Sequence, residues 1–563
     1  MNRKWLLKKT NREYIDYITR SVSINPLTAQ ILVNRGINTP ERVRSFIDPE
    51  LSSMADPFVL PGMKKAVKRI RRAAESGEKV VVHGDYDADG TTSTSILLHT
   101  LIKLGIGCNY FIPNRFKHGY GFNTEAIKVA KKNGARLIIT VDCGIGSFDE
   151  TSEARRNGID VIITDHHEPY KDEYGAHKLP DAYAVVNPGL MPPDGQLPLC
   201  GAGIALKISI ALLGIADSLE LFDLAAIGTI ADMVPLTGDN RLIIKKGLEL
   251  INRNSRESIR ALREVASVNG RQISEGGLSF GIIPRINASG RIAEASEVVR
   301  LFMSGNIDET YRIARVLDNN NARRQRIEEI VFNETLSMLK SRSFGSCIML
   351  SSEEWHEGVV GIVASKIADI YHRPTFIFSV RDGIARGSAR SVPAFDICRG
   401  LSMCSEYLVT YGGHKQAAGL TLHIKNMRDF ELKMHEIISD VLKSPDCKNE
   451  LLIDAEVTLK DISFPLIAEL MKIGPFGPGN EEPLLASRRL EVISHKSVGN
   501  NHLKMRLRQG YRTLDAIGFS MSSIYKDIDS PGHIDAVFSP AVNEWNGSRS
   551  LQLQIKTMRP STL

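Results

Sequence analysis

The chain has 563 residues, of which 42% are hydrophobic and 24% are charged, a balance that is ordinary for folded globular proteins. This length exceeds what one hydrophobic core organises, so we expect three or more domains and no predominantly disordered chain. The formal net charge of +6 is compatible with a polyanionic partner but does not by itself require one.

The cysteines and the N-terminus indicate a protein that stays where it is made. Seven cysteines are scattered without a Cys-x-x-Cys pair, which favours reduced thiols over a zinc ribbon or a disulfide framework. Residues 1–9 carry charges on both sides of a short apolar patch, unlike a signal peptide. The longest apolar stretch, 201–216, is too short to span a bilayer and contains Lys207. We therefore predict a cytoplasmic protein without membrane contact, and we expect a monomer.

Residues 1–78 are predicted to form an N-terminal helical region. Pro26 and Pro40 are expected to mark helix boundaries in its first fifty residues, and a basic helix is expected to begin after Pro61-Gly62. Charges on such a helix are typical of a solvated face. The basic residues of this helix are Lys64, Lys65, Lys68, Arg69, Arg71 and Arg72.

The segment 79–235 alternates apolar strands with helical stretches, the pattern of a parallel sheet. Potential metal ligands follow three of the strands and one apolar helical stretch: His83, Asp85, Asp87, Asp89, Asp142, Asp165, His166, His167 and Asp232. The carboxyl ends of parallel strands share one edge of a sheet, and residues two apart in an extended segment point the same way. These side chains should therefore converge. Carboxylates beside imidazoles suit Mn²⁺ or Mg²⁺, whereas a solvated Asp-rich turn is the alternative for 83–89 taken alone.

The sequence after residue 235 indicates a helical region, then a second α/β unit and a strand-rich C-terminal segment. A long charged helix over 318–340 is expected to connect the domains, and a second α/β unit begins near 347. Residues 443–450 read as a polar linker, and five or six short alternating strands follow from 451. Such strands are typical of a small oligonucleotide-binding (OB-like) barrel.

These motifs together resemble the DHH phosphoesterase superfamily. The resemblance rests on Asp165-His166-His167, the 83–89 segment, Asp142, Asp232 and the later Gly412-Gly413-His414. The order of the motifs, the length of the chain and its strand-rich C-terminal segment are most similar to those of the bacterial single-strand-specific 5′-to-3′ exonucleases. The resemblance implies an α/β fold in which a parallel-sheet DHH domain is joined by a long helix to a second α/β domain, followed by a C-terminal OB-like β-barrel. The expected boundaries are 1–78, 79–235, 236–340, 341–448 and 449–563.

The resemblance also implies an activity and a set of partners. The activity is 5′-to-3′ hydrolysis of single-stranded DNA at two Mn²⁺ or Mg²⁺ ions, acting in recombination and repair. The implied partners are the 5′ end of single-stranded DNA, single-strand-binding protein and a RecQ-type helicase. The barrel is expected to bind either DNA or a protein partner.

Metal-ligand roles are carried over motif by motif. The family pattern puts His83, Asp87 and Asp142 on one ion. It puts Asp89, Asp142, His166 and Asp232 on the other ion. Asp142 is then the ligand that bridges the two ions. Asp85 is then either a supporting residue or an alternative ligand. Asp165 is expected to orient an imidazole, and His167 to touch the phosphate or the leaving group.

DNA contacts are expected mainly from the second α/β unit. Residues 385–391 read as a Gly-Ser turn between arginines that could cradle a terminal phosphate, or as an ordinary exposed loop. Arg285 is implied at the scissile phosphate. Tyr120 could stack on a base or be a packed surface tyrosine. The candidate nucleic-acid contacts are Arg115, Tyr120, Arg291, Arg323, Arg386, Gly387, Ser388, Arg390, Gly412, Gly413 and His414.

Two other functions compete with the exonuclease interpretation. A DHH pyrophosphatase, nanoRNase or cyclic-dinucleotide phosphodiesterase would be shorter and would lack the C-terminal strands. A non-catalytic DHH scaffold, related to a eukaryotic replication-helicase subunit, can lose metal ligands. Every ligand position of this chain is filled, which favours an enzyme.

Overall fold

The structure is a computed structural model that describes residues 4–172, 174–254, 256–268, 270, 272–341, 344–442, 450–499, 501–529, 531–545 and 547–561. Residues 443–449 of the predicted linker lie outside the described residues. Within the described part, no helix combines the length and the apolar character that crossing a membrane requires.

Within the described residues, the strands form four sheets with helices around them. The strands are β1 (Lys4–Leu7), β2 (Lys79–His83), β3 (Cys108–Phe111), β4 (Ala135–Val141), β5 (Asp160–Thr164), β6 (Ala184–Val186), β7 (Ile348–Ser352), β8 (Thr375–Arg381), β9 (Ile384–Arg390), β10 (Leu408–His414), β11 (Ala417–His423), β12 (Glu450–Ile453), β13 (Ala455–Glu456), β14 (Leu485–Val498), β15 (His502–Gln509), β16 (Arg512–Gly518), β17 (His533–Trp545) and β18 (Ser548–Pro560). The helices are α1 (Arg12–Val22), α2 (Pro26–Asn34), α3 (Pro40–Ile47), α4 (Met63–Glu75), α5 (Ala88–Lys103), α6 (Thr124–Asn133), α7 (Phe148–Arg156), α8 (Gly201–Leu213), α9 (Ile215–Ser218), α10 (Phe222–Ala231), α11 (Gly238–Asn252), α12 (Glu257–Val265), α13 (Glu275–Gly277), α14 (Ile283–Ile292), α15 (Ser296–Met303), α16 (Ile307–Lys340), α17 (Glu357–Tyr371), α18 (Ile397–Ser402), α19 (Met427–Leu442), α20 (Phe464–Ile473) and α21 (Ser522–Asp527).

The described residues group into two compact units. One comprises the described parts of 1–56, 233–245 and 449–563, and the other those of 57–232 and 246–448. The second unit contains both α/β sheets.

A parallel sheet organises the first α/β region, in the order β3-β2-β4-β5-β6. Its central strands are buried and rich in β-branched residues, as expected when helices cover both faces. The register pairs His83 with Thr140, and Val141 with Thr164. The ends of β2, β4 and β5 are therefore level, and the residues that follow them meet at one edge.

The segment after β2 differs from the extended run that the sequence predicts. The strand ends at His83, and α5 begins at Ala88. The side chain of Asp87 caps α5 by accepting a hydrogen bond from the backbone N–H of Gly90 (3.0 Å). Asp89 lies in the first turn of this helix. Proximity of the acids was correctly predicted, but a helix N-terminus, not strand alternation, creates it.

The second α/β region is a mixed sheet in the order β10-β11-β9-β8-β7. The long helix α16 packs against α14 and α17. It begins at Ile307, earlier than the predicted 318, because the side chain of Asn306 accepts a hydrogen bond from the N–H of Glu309 and caps it there.

The other unit is built on a closed barrel. Strands β14-β15-β16-β18-β17 close through a pairing of β17 with β14, which is an OB-like arrangement. Helices α1–α3 share its hydrophobic core: Ile18, Ile31 and Leu32 belong to the same buried cluster as Leu466 and Leu507. The predicted fold class, with a DHH-type parallel sheet, a second α/β domain and a C-terminal OB-like barrel, is confirmed.

Candidate metal and phosphate site

Acidic and imidazole side chains converge at the carboxyl edge of the parallel sheet. Among the residues that the structure describes, three groups of three have ligand atoms that lie within 4.8 Å of one another. These groups are Asp85, Asp87 and Asp142; Asp89, His166 and Asp232; and Asp142, His166 and His167. Seven of the predicted site residues are thus brought together.

Asp142 connects the groups. Its Oδ1 lies 3.1 Å from Nε2 of His166, whose Nδ1 lies 3.6 Å from Asp232. Asp142 has a backbone φ of +61°, in the left-handed region that non-glycine residues rarely adopt. Such strain persists where the surrounding structure holds it, often at functional sites. The turn aims this carboxylate between the other ligands.

The charges of this cluster are not balanced by the protein. Asp142 Oδ1 and His166 Nε2 do not meet hydrogen-bond geometry although they are 3.1 Å apart. These two atoms and Asp85 Oδ1 are buried without a hydrogen-bond partner among the described residues. Burial and the neighbouring carboxylates, Asp89 foremost, raise the pKa of Asp142, and the same causes raise that of Asp232 to about 8. Oxygen-rich, mutually repelling and unpaired, these groups fit hard divalent cations.

The N-terminus of α8 holds Asp89 in place. Its two oxygens accept hydrogen bonds from the backbone N–H groups of Gly201 (2.6 Å) and Ala202 (2.8 Å). A Cβ on Gly201 would lie 2.6 Å from the Cβ of Asp142, so only glycine permits this approach. Sequence reasoning missed these two residues, because backbone donors carry no side-chain signature.

His83, expected as a metal ligand, lies apart from the three groups. It is fully buried, and its Nε2 accepts a hydrogen bond from the N–H of Asn123 (3.2 Å). Its Nδ1 lies 3.5 Å from Sγ of Cys143, and burial lowers its pKa to about 4. Both ring nitrogens of His83 therefore face protein groups, while Asp85 is the residue grouped with Asp87 and Asp142.

Asp165, His167 and Tyr120 form a chain beside the cluster. Nδ1 of His167 lies 2.7 Å from Asp165 and 2.9 Å from the hydroxyl of Tyr120. Burial alone would lower the pKa of His167, but the hydrogen bond and charge of Asp165 raise it to about 9. Asn187, which the sequence did not indicate, donates to the carbonyl oxygen of His167 (2.9 Å). Asp165 thus orients an imidazole, as expected.

Several arginines adjoin the acids. Arg115, Arg291 and Arg390 form no ion pair within the described part of the chain, whereas Arg324 pairs with Glu328. Burial, with the charges of Arg115, Arg324 and Arg390, lowers the pKa of Arg291 to about 10, while Asp87 acts in the opposite direction. Arg115 lies over the ring of Tyr86, 5.1 Å from its centroid. Mutually facing guanidinium groups are unfavourable unless an anion lies between them. The carboxylates and these arginines therefore offer binding groups for cations and for phosphate side by side.

The turn predicted over 385–391 is wrong, since these residues belong to β9 and the loop that follows it. This strand is central in its sheet, so β8 and β11 use its backbone N–H groups, which cannot cradle a phosphate. The side chains of Arg386, Ser388 and Arg390 share one face, next to α17. Gly387 points the other way, where a Cβ would clash with the ring of Phe378 (2.3 Å).

Arg390 and Arg386 have different surroundings on that face. Arg390 donates to the hydroxyl oxygens of Ser365 (2.9 Å) and Ser388 (3.0 Å). Burial and the charge of Arg115 lower its pKa. Arg386 is exposed and pairs with Glu357 at 3.4 Å. Arg390 is thus the arginine of β9 that faces Arg115.

The structure does not support a phosphate contact by Arg285. Its guanidinium donates to Asp318 (2.8 Å), to the carbonyl oxygen of Gly281 (2.6 Å) and to that of Val265 (3.3 Å). All three nitrogens are engaged, so this side chain fastens α14 to α16 and its surroundings. Asn287 of the same helix instead caps α5 through the N–H of Ala88 (2.8 Å), a role that the sequence did not reveal.

The remaining predicted DNA contacts lie on exposed elements. Gly412, Gly413 and His414 are on β10, an edge strand, and the ring of His414 stacks on that of His167 at 5.8 Å. Arg323 is exposed on α16. Tyr120 is 53% exposed, and its hydroxyl contacts His167.

Three family models match the chain in order. The DHH family N-terminal domain covers 79–229, the DHHA1 domain 344–440 and the RecJ OB domain 453–557. Together with the parallel sheet and its acidic edge, these matches define a DHH-family, metal-dependent hydrolase.

Comparison with individual proteins narrows the family. The single-stranded-DNA-specific exonuclease RecJ of Bacillus subtilis is 38% identical, with 98% of this chain and 70% of that protein covered. RecJ of Escherichia coli is 31% identical, with 99% and 100% covered. The crystal structure of Thermus thermophilus RecJ with Mn²⁺ has a TM-score of 0.85 at 30% identity, covering 100% of this chain and 80% of that one. The chain belongs to the RecJ family of exonucleases, as the sequence motifs predicted.

Proposed function

We propose that the chain degrades single-stranded DNA from its 5′ end by metal-dependent phosphodiester hydrolysis. The observation that carries the proposal is that two clusters of like charge, the carboxylates around Asp142 and the arginines Arg115, Arg291 and Arg390, lie near enough to act electrostatically on one another without forming ion pairs among the described residues. A polyanion with bound cations is the ligand that satisfies both. RecJ exonucleases with this fold supply the substrate class.

We assign two ion positions to the acidic cluster. Asp85, Asp87 and Asp142 would hold one ion, and Asp89, His166 and Asp232 the other, with Asp142 reaching both. His83 would support this arrangement without binding a metal. Bound Mn²⁺ or Mg²⁺ ions supply charge neutralisation at the phosphate and a means of forming hydroxide near neutral pH.

The residues beside the ions position the strand and handle a proton. The hydrogen bond and charge of Asp165 raise the pKa of His167, which favours the protonated imidazole. It can give that proton to the departing 3′ oxygen as a general acid. His414, stacked on His167, lies on the edge strand that the nucleic acid would follow.

A terminal phosphate fits between Arg115 and Arg390. These two cations act on one another, and neither has a carboxylate partner among the described residues. A charge-assisted pair of guanidinium groups binds a phosphate dianion better than an internal monoanionic diester. Ser388, hydrogen-bonded to Arg390, completes this pocket. Such a pocket would select the 5′ end.

The cellular setting is also part of the proposal. An enzyme that needs a free single strand depends on a helicase to unwind duplex DNA and on proteins that coat the strand. We therefore propose that it works with single-strand-binding protein and a RecQ-type helicase in recombination and repair, in the cytoplasm as a monomer.

The test of this function is an assay of the purified chain with single-stranded and blunt duplex DNA, with Mn²⁺ or Mg²⁺ and with EDTA. We expect release of mononucleotides from the single strand only, and none with EDTA. Hydrolysis confined to dinucleotides would indicate a nanoRNase. Strand binding without hydrolysis under every metal condition would indicate a scaffold.

The barrel is expected to bind the strand through its outer basic face. Lys496 and Lys504 lie directly opposite one another on β14 and β15, an unfavourable pair unless an anion is bound. Replacing both with glutamate should weaken binding of a long strand and flatten its salt dependence by about 0.7 per lost phosphate contact. Fluorescence anisotropy at several salt concentrations measures both effects.

The matched control is Lys460→Glu with Lys526→Glu, two exposed lysines of the same unit. Substitution is preferable to deleting 451–563, because α1–α3 would lose the core that they share with the barrel. If the Lys496/Lys504 variant bound the strand with the same affinity and the same salt dependence as the Lys460/Lys526 control, the barrel would not be the strand-binding surface. We would then assign it to a protein partner instead.

A further inference from the structure

Helix α14 packs one of its faces against the turn between β2 and α5, which carries three acids of the metal site. Asn287, Gly290 and Arg291 lie on that face, because residues three and four apart in a helix share a side. A Cβ on Gly290 would overlap the carbonyl oxygen of Tyr86, so only glycine permits this approach. The charge of Asp87 acts on Arg291. Helix α14 therefore covers the turn directly.

Other parts of α14 are fastened to α16 and α17. The guanidinium of Arg285 donates to Asp318 of α16. The carbonyl oxygen of Arg291 lies against Gly358, in the first turn of α17, where a Cβ would overlap it. Two other helices thus hold α14, and α14 in turn offers the β2–α5 turn a fixed support.

Asn287 satisfies a buried donor of this turn. Its Oδ1 accepts a hydrogen bond from the backbone N–H of Ala88 (2.8 Å), and Ala88 is fully buried. Ala88 is the first residue of α5, so its N–H has no partner inside the helix. A buried N–H without an acceptor is costly in free energy. Loss of the Asn287 oxygen would therefore favour a shifted turn in which this N–H reaches water.

Such a shift would move three carboxylates together. Asp87 caps α5, and Asp89 lies in the first turn of the helix. The backbone of Asp85 packs against Gly90, where a Cβ would lie only 2.6 Å from the carbonyl oxygen of Asp85. One compact turn thus carries all three acids, and its position sets their distances from Asp142.

We propose that Asn287 is a positioning residue of the metal site, which holds the turn of Asp85, Asp87 and Asp89 in the arrangement that binds divalent cations. It acts through the backbone N–H of Ala88 and not as a ligand. Hydrogen-bonding groups that orient metal ligands typically contribute about tenfold to a hundredfold to metal affinity. This assignment rests on the proposed metal-dependent hydrolysis and adds to it a residue from outside the acidic cluster.

The test is a titration of the full chain with Mn²⁺ alone, in which electron paramagnetic resonance measures the free ion. Asn287→Ala should raise the Mn²⁺ concentration at half-saturation about tenfold or more. Asn287→Asp should bind Mn²⁺ at least as well as the wild type, because a carboxylate oxygen accepts the same hydrogen bond. The matched control is Asn306→Ala, which removes the cap of α16 and should lower stability without weakening Mn²⁺ binding.

Digestion of single-stranded DNA gives a second readout. The Asn287→Ala variant should need about tenfold more Mn²⁺ for its half-maximal rate and approach the wild-type rate at saturating Mn²⁺. Equal Mn²⁺ binding by the wild type and Asn287→Ala would overturn the assignment. An equal loss in Asn306→Ala would also overturn it, since the loss would then report general destabilisation. If the wild type bound Mn²⁺ but cleaved no DNA, the proposed function would fail, while the binding comparison would still decide the role of Asn287.

Discussion

Replacing Asp142 with asparagine is expected to reduce hydrolysis by about a thousandfold or more while leaving the protein folded. Asp142 belongs to two of the three ligand groups, and its Oδ1 has no hydrogen-bond partner among the described residues. The neutral amide also removes a buried charge that its neighbours repel. The metal-free variant should therefore melt at or above the temperature of the metal-free wild type.

Two measurements together check this expectation. Initial rates give the loss of activity, and thermal melts with and without Mn²⁺ show whether metal still stabilises the chain. Wild type should gain stability from Mn²⁺, and the variant should gain much less. Asp149→Asn, an exposed acid on α7, is the control and should behave like the wild type. Near-normal turnover by the Asp142 variant would refute the assignment of the metal site.

Replacing Arg390 with alanine is expected to erase the preference for a 5′-phosphorylated strand over one with a 5′-hydroxyl. A charge-assisted contact contributes about 1.5–3 kcal/mol, which corresponds to a rate ratio of roughly 10 to 150. Arg390 and Arg115 oppose each other without a carboxylate between them, so removing one relieves repulsion and should not unfold the domain. The ratio of initial rates on the two substrates, at one salt concentration, is the measurement.

Arg386→Ala provides the matched control on the same strand face. Arg386 is exposed and already paired with Glu357, so its loss should leave the rate ratio nearly unchanged. If Arg390→Ala keeps the ratio and Arg386→Ala lowers it, the terminal phosphate is read at the outer end of β9. If neither variant changes the rate ratio, the terminal phosphate is bound by Arg115 without the arginines of β9. The assignment of the terminal-phosphate pocket to Arg390 would then be withdrawn.

The sequence predicted the acidic edge because its chemistry is local. Apolar runs that end in Asp142 and in Asp165-His166-His167 carry both the strand and its ligand in a few residues. Parallel pairing then brings these ends level. The barrel strands were predicted for the same reason, since alternation along each strand reports its buried face.

Contacts between distant segments could not be predicted in this way. The parallel pairing of β1 with β12 joins residues 4–7 to residues 450–453, and no local pattern encodes it. Arg285 and Arg291 lie on the same helix, α14, yet the first binds Asp318 and the second faces Asp87. Arginines look alike in a motif, and only tertiary structure separates the structural one from the one beside the site. The Gly-Ser pair in β9 likewise suggests a turn until its neighbours in the sheet are known.

Digestion of one long single strand, labelled at the 5′ end in one sample and at the 3′ end in another, tests the central claim most directly. With Mn²⁺, we predict immediate release of the 5′ label as a mononucleotide, while the 3′ label stays on a strand that shortens progressively. Early release of the 3′ label as a mononucleotide, with a 5′-labelled strand that shortens, would contradict 5′-to-3′ degradation.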